Sequence, residues 1–276
     1  MTFQTFEISV ASGEPILLFD FSVGSAHFRY TTADRTIMYG GNAYAPRAIK
    51  RSNPQVGPDV RRQTLTVTAP RDIEVAQLYA VYAPSRDVLL TITNLHFTDP
   101  DGQGIVDWIG RVIGPTWKGS TVDIACEPVY TSVQATGLRR RWGVGCPHVL
   151  YGQGCTLNAH DFGIGTTLSA ASGLTITIPS ASLPTGLSFL GGFIEWDSGS
   201  NYWERRSIDA VADFDTTLTL SYGSPQLAPG LIVIVYPGCS KTTANCAAFG
   251  NTLNYGGQPF IPVVNPMDGT LANPYL

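Results

Sequence analysis

The chain predicts a mainly β protein with few and short helices, and two observations carry that expectation. Apolar residues alternate with threonine in several short runs, the period-2 pattern of half-buried antiparallel strands. Between those runs the punctuation is dense, with 29 glycines and 19 prolines in 276 residues. At 43% hydrophobic and 14% charged residues the chain can bury a substantial core, as one large domain or two ordinary ones.

The strand runs are 64–68 (Thr-Leu-Thr-Val-Thr), 88–93 (Val-Leu-Leu-Thr-Ile-Thr), 174–178 (Leu-Thr-Ile-Thr-Ile) and 217–220 (Thr-Leu-Thr-Leu). Tyr39-Gly40-Gly41-Asn42-Ala43-Tyr44 reads as a hairpin turn flanked by cross-strand aromatics. Asp101-Gly102 and Tyr222-Gly223-Ser224-Pro225 read as further turns. One helix is expected over 127–137, where Pro128 suits a first turn, Val129 and Val133 share a face, and Gly137 can cap the end. A second follows Ser240, with Thr242 or Thr243 as N-cap, Cys246 inside and Gly250 closing it. A third is expected over 73–79.

A boundary near 137–142 separates a β-rich first region, 1–137, from a second, 138–276. The second carries an inserted β module at about 157–236 and an extended tail with Pro259, Pro262, Pro266 and Pro274. The longest apolar run, 231–236, is too short to span a bilayer, and the first seven residues lack the basic and apolar regions of a secretory signal. Neither membrane insertion nor export is expected. A net charge of -4 and a pI near 5.5 argue against a nonspecific grip on nucleic acid. Of 17 basic residues only Lys50, Lys118 and Lys241 are lysine. That bias fits subunit interfaces, and equally a genome that favours arginine codons.

Four of the five cysteines lie in two glycine-bearing loops, Cys146 with Cys155 and Cys239 with Cys246. The pairing points to one four-thiolate site. Disulfides are disfavoured because no export signal is read and the odd total leaves one thiol over. Cys126 stands apart, on a period-2 face with Val122 and Ile124, and reads as a buried strand thiol. Spacing leaves the ligand open. Structural zinc knuckles use two to four intervening residues, whereas here the gaps are eight and six. A four-iron cluster suits wider loops, yet the common ferredoxin spacings are absent too. His148, in a Pro-His turn, reads as a hydrogen-bonding loop residue rather than a ligand.

The run Arg139-Arg140-Arg141-Trp142-Gly143-Val144-Gly145-Cys146-Pro147-His148, continuing to Gly152-Gln153-Gly154-Cys155, is followed by Pro237-Gly238-Cys239, Cys246, Phe249-Gly250-Asn251 and Asn254-Tyr255-Gly256-Gly257-Gln258-Pro259. This pattern resembles the tail hub (tail tip) family of long-tailed phages and gene transfer agents, to which the minor tail protein L of phage lambda is related. It covers about the last half of the chain; in the first half only the Asp107-Trp108-Ile109-Gly110 region is similar. The resemblance implies N-terminal β-barrel or sandwich-like hub domains, the small β module, and a short-helix C-terminal iron-sulfur region. It implies a 4Fe-4S cluster on Cys146, Cys155, Cys239 and Cys246. It further implies a homotrimer ring at the tail tip of the virion, assembled in the bacterial host cytoplasm. A distal tail protein would lie above the ring and a central tip or fibre protein below it, with a lumen through which DNA could pass. The three arginines at 139–141 could offset thiolate charge, pair with a neighbouring subunit, or simply form a solvated run.

Enzymatic motifs are missing. No Gly-x-Ser-x-Gly, His-Glu-x-x-His, P-loop or complete Gly-x-Gly-x-x-Gly occurs. Cys146 with His148 or His160 could be imagined as a thiol nucleophile and base, but four clustered thiols fit ligation better. Asp99, Asp101 and Asp107 fail the EF-hand pattern. The expectation is a structural, non-enzymatic virion protein whose metal group is a fold staple. An iron-sulfur redox protein and a zinc-stapled adhesin module are the alternatives.

Overall fold

The computed structural model describes residues 3–9, 13–53, 64–134, 137, 142–180, 183–199 and 202–262. The arginine run at 139–141 and the tail with Pro266 and Pro274 lie outside the described residues. The chain divides into two compact units, Met1–Ala135 with Asp197–Glu204, and Thr136–Trp196 with Arg205–Leu276.

The first unit opens with α1 (Phe3–Glu7), followed by β1 (Pro15–Val23), β2 (Ala26–Thr31), β3 (Ile37–Tyr39), β4 (Asn42–Pro46), β5 (Lys50–Arg51) and β6 (Leu65–Pro70). After α2 (Glu74–Gln77) come β7 (Leu89–His96), β8 (Ile105–Lys118) and β9 (Thr121–Pro128). These form one nine-stranded sheet in the order β3-β4-β2-β1-β7-β8-β9-β6-β5. Tyr30 on β2, Leu65 and Val67 on β6, and Ile49 just before β5 enter the same buried cluster as Ile73, Val75 and Ala76 around α2. Strands from both flanks of the sheet share one core, so the sheet curls into a half-barrel with α2 against its concave face. Tyr202, from the segment Asp197–Glu204, adds its ring to that core.

β1 is buried on both faces. Phe19, Phe21 and Val23 point into the main cluster, while Ile16 and Leu18 pack with Ile37, Tyr44 and Leu95 on the other side. The Gly40-Gly41 turn joins β3 to β4 with both glycines at positive φ, +57° and +77°, the geometry of a two-residue hairpin. The register pairs Tyr39 with Asn42 and Ile37 with Tyr44, so the two tyrosines are diagonal neighbours rather than a facing pair. Gly110 is required by close approach, since a Cβ there would lie 2.1 Å from the Glu127 carbonyl oxygen and 2.2 Å from the Trp108 ring.

The helix expected over 127–137 takes another form. Glu127 and Pro128 complete β9, paired with Arg111 and Gly110, and Val129–Gln134 is a 3-10 helix. The long partner strand β8 and the Arg111–Glu127 ion pair extend β9, so Pro128 ends a strand instead of starting a helix. Gly137 lies beyond that turn.

Cys126 sits in β9, fully buried between Val112 of β8 and Leu65 of β6. Burial pushes its thiol up to about 12. Native protein treated with iodoacetamide at neutral pH is therefore expected to leave Cys126 unlabelled, and peptide mapping checks this. Because the unfolded thiol ionises near 9, the stability this group contributes is complete below that pH and is lost as pH rises toward 12.

The second unit contains β10 (Ile164–Thr167), β11 (Ala170–Ser172), β12 (Thr175–Thr177), β13 (Phe193–Asp197), β14 (Trp203–Ala212), β15 (Thr217–Leu220) and β16 (Ile232–Tyr236), then α3 (Thr243–Ala248). The sheet order is β10-β16-β13-β14-β15-β12-β11. Its two edge strands, β10 and β11, are successive parts of one bent stretch. At the bend Leu168 exchanges backbone hydrogen bonds with Leu231 and Gly230, and the Ser169 N–H donates to the Thr177 carbonyl. The same stretch thus pairs with β16 at one end and β12 at the other, closing the sheet into a small barrel and removing its free edges. Phe189, Ile194, Trp196, Ile208, Leu218 and Val235 are among the side chains that fill it.

Candidate metal centre

The barrel places the two cysteine loops at the two ends of its chain path. The first loop precedes β10; the second leaves β16 directly. In the first, the Gly152 N–H donates to the Val149 carbonyl, and the Cys155 and Thr156 N–H groups donate to the Gly152 carbonyl. Tyr151 and Thr156 adopt positive φ, 58° and 63°, to make that double turn. In the second, the Gly238 N–H donates to the Ser188 carbonyl at 2.9 Å as the chain leaves β16. α3 then begins at the cap the sequence predicts, with the Thr242 hydroxyl accepting the Asn245 N–H at 3.2 Å, and Gly250 at φ +69° just beyond its end.

Hydrogen bonds tie the loops to each other and to the segment that follows α3. The Cys146 N–H donates to the Lys241 carbonyl at 2.9 Å, and the Lys241 ammonium donates to the His148 carbonyl. The Asn251 amide donates to the Cys155 carbonyl at 2.6 Å. The Tyr255 hydroxyl donates to the Val144 and Lys241 carbonyls, and the Gln258 N–H donates to the Gly143 carbonyl. Behind the thiols lies an aromatic cluster. The Tyr151 ring meets Phe162, Phe193, Tyr236 and Phe249 at centroid distances of 6.0 to 6.4 Å, and its hydroxyl donates to the Pro237 carbonyl.

All four loop cysteines are free thiols; Cys146, Cys155 and Cys239 are half-buried and Cys246 is buried. The Cys246 thiol is held above its ordinary pKa, first by burial and then by the nearby Cys146, Cys239 and Cys155. The other three sulfurs therefore lie within reach of the Cys246 thiol's charge. Three of them accept N–H donors: Cys239 from the Lys241 backbone at 3.4 Å, Cys146 from Gly256 at 3.5 Å, and Cys155 from the Asn251 amide at 3.6 Å. Cys246 instead donates to the Asn251 carbonyl at 3.1 Å, and ligation would require it to turn from that oxygen.

These donors suit thiolates, which gain from N–H groups aimed at sulfur. A single tetrahedral zinc ion needs its four sulfurs within about 4 Å of one another. Among the described residues, no three His, Cys, Asp or Glu side chains group closely enough to hold one metal ion.

His148 has a packing role. A Cβ at Gly154 would lie 2.3 Å from its Nδ1, and one at Gly256 would lie 2.2 Å from its Nε2. Glycine backbone thus covers both edges of the imidazole and explains two glycines of the sequence pattern. His160 sits in a 3-10 turn capped by Asn158. Asp99 accepts the Asp101 and Gln103 N–H groups at 3.0 and 3.2 Å, which is turn chemistry. Sequence reasoning missed Lys241 and Asn251, although their place beside cysteines in a glycine-rich context was the available signal.

Residues 187–265 match a family model described as "Phage conserved hypothetical protein BR0599", a segment that includes Cys239 and Cys246. The chain is 35% identical over 115 residues to an uncharacterised protein of Xylella fastidiosa (strain 9a5c). That similarity covers 42% of this chain and 24% of the relative, about a quarter of the latter's length. A chain from the virion of a native gene transfer agent particle superimposes with a TM-score of 0.74 at 16% identity, over 97% of this chain and 96% of that one. Over nearly its whole length, this protein shares the mainly β fold of a chain in that virion.

Proposed function

We propose that this protein is a structural subunit of a phage-like tail, placed at the tail-tip hub, with its four loop thiols holding a 4Fe-4S cluster as a staple. The observation that carries the structural role is the end-to-end similarity of fold to a virion chain, which extends across both units. The phage family match over 187–265 adds support within the second unit. In this reading the subunit assembles in the virion with other tail proteins, as a homotrimer ring between a distal tail protein and a central tip or fibre protein. It has no catalytic role.

The cofactor reading rests on the donor set. Cys146, Cys155, Cys239 and Cys246 would hold the group, which when bound would supply covalent cross-links and no turnover chemistry. The chain's own residues do the rest. The Lys241, Gly256 and Asn251 N–H groups stabilise charge on three sulfurs, and the Tyr151 cluster keeps water from one side. Purified particles carrying an epitope-tagged subunit test the placement: immunogold label confined to the distal tail end is expected. Label along the tail tube, or absence from particles, contradicts it.

A further inference from the structure

Two residues outside the cysteine set connect the loops in a pairwise pattern. Lys241 handles the first cysteine of each loop: its N–H donates to Cys239 Sγ, and its carbonyl accepts the Cys146 N–H. At its positive φ of 63° its N–H meets the Cys239 sulfur while its carbonyl meets the Cys146 backbone, and its ammonium holds the His148 carbonyl. Asn251 handles the second cysteine of each loop. Its amide donates to the Cys155 carbonyl at 2.6 Å and to Cys155 Sγ at 3.6 Å. Its own backbone N–H donates to the Cys246 carbonyl at 2.9 Å, and its carbonyl accepts the Cys246 thiol. At 7% exposure Asn251 is one of few buried polar side chains, and its Oδ1 is satisfied by the Asn254 amide at 2.6 Å.

We infer that Lys241 and Asn251 are positioning residues that set the thiols as two pairs, Cys146 with Cys239 and Cys155 with Cys246, before any metal group binds. The inference rests on the four-thiol ligand reading for its purpose, but the pairing itself belongs to the protein. A buried amide whose N–H groups both serve one site helps fix that site's geometry, because each lost bond leaves an unsatisfied buried group. Hydrogen bonds to sulfur also help set cluster potentials, which makes Asn251 visible in a measurement that a purely structural residue would not move.

Asn251→Asp is the sharpest variant. It is isosteric and keeps an oxygen for Asn254, yet it removes both donors to Cys155 and places a carboxylate beside its sulfur. In metal-free protein, mass-spectrometric timing of iodoacetamide labelling is expected to show slower reaction at Cys155, whose thiolate loses its N–H donor, and a changed rate at Cys246 as the Asn251 carbonyl that accepts its thiol loses its anchor, with Cys146 and Cys239 unchanged. Asn251→Ala should give the same pattern and guards against an effect of charge alone. Circular dichroism on each variant separates loss of pairing from loss of fold. In reconstituted protein, Asn251→Asp is expected to shift the cluster's reduction potential to more negative values. An equal rate change at all four cysteines in folded variants, or no change at any, overturns the inference. If wild-type protein binds neither iron nor sulfide while the paired labelling pattern holds, the cluster reading fails and the pairing stands.

Discussion

Cys239→Ala protein, purified without oxygen, is expected to carry no iron and no acid-labile sulfide, and to fail to enter assembled particles. Cys239 leaves β16 only three residues after the barrel's last strand, so its sulfur is where the closed sheet meets the site. Without it the Lys241 N–H loses its sulfur acceptor, and the proposed covalent tie between the start and end of the barrel path is lost. Structural metal sites contribute on the order of 10 kcal/mol or more to folding. A domain's net stability is about 5–15 kcal/mol, so losing that contribution should leave the second unit folded but far less stable, with a steeply lowered melting temperature. Thermal melting of the variant against wild type measures the first effect and recovery of infectious particles the second. Particles of normal infectivity from Cys239→Ala would rule out a structural role for the site.

Gly238→Ala is expected to be nearly as severe, for a steric reason that holds with or without metal. A Cβ at Gly238 would sit 1.9 Å from the Leu190 carbonyl oxygen and 2.4 Å from the Gly192 nitrogen, both backbone atoms with no side-chain freedom to yield. The reciprocal contact is as close: a Cβ at Gly192 would lie 2.0 Å from the Tyr236 carbonyl oxygen. Two chain segments cross here with only hydrogen atoms between them. Relief requires the exit of β16 to move, which breaks the Gly238–Ser188 hydrogen bond and displaces Cys239. Overpacking of this kind costs about 1–3 kcal/mol even where side chains can adjust, and rigid backbone puts Gly238→Ala at the upper end. Urea denaturation of metal-free protein isolates this cost; a midpoint equal to wild type contradicts the crossing geometry.

The legible parts of the fold were those where one local rule acts without competition. Alternation finds β6, β12 and β15 because each has one buried and one half-exposed face, and it finds β7 from its first half, where Leu90 and Ile92 are buried and Thr91 is half-buried. It passes over β1, whose Pro-Ile-Leu-Leu-Phe-Asp-Phe-Ser-Val sequence serves two cores and so does not alternate strictly. The cap, interior and glycine stop of α3 are all local, and the sequence predicts them correctly. Pro128 misleads because proline suits a first helical turn and a strand end equally, and only the long-range pairing with Gly110 decides.

The candidate site divides the same way. Cysteine spacing isolates four residues from a fifth, and Cys126 lies in the strand that its pattern predicts. The bent stretch 164–172 that closes the barrel depends on pairing between distant strands and leaves no local signature. The backing of the thiols by Tyr151 and its aromatic neighbours, and the seating of His148 between Gly154 and Gly256, are likewise contacts across long sequence separations. Gly154 and Gly256 look like turn residues in sequence; in the fold they are clearance for an imidazole.

The proposed iron-sulfur cluster on the four loop thiols is open to direct chemical assay. Iron, acid-labile sulfide and zinc per chain, measured together on anaerobically purified protein, test it most directly. One 4Fe-4S group gives about four iron and four sulfide per chain, with little zinc, and that is the expected result. Stoichiometric zinc without sulfide would contradict it.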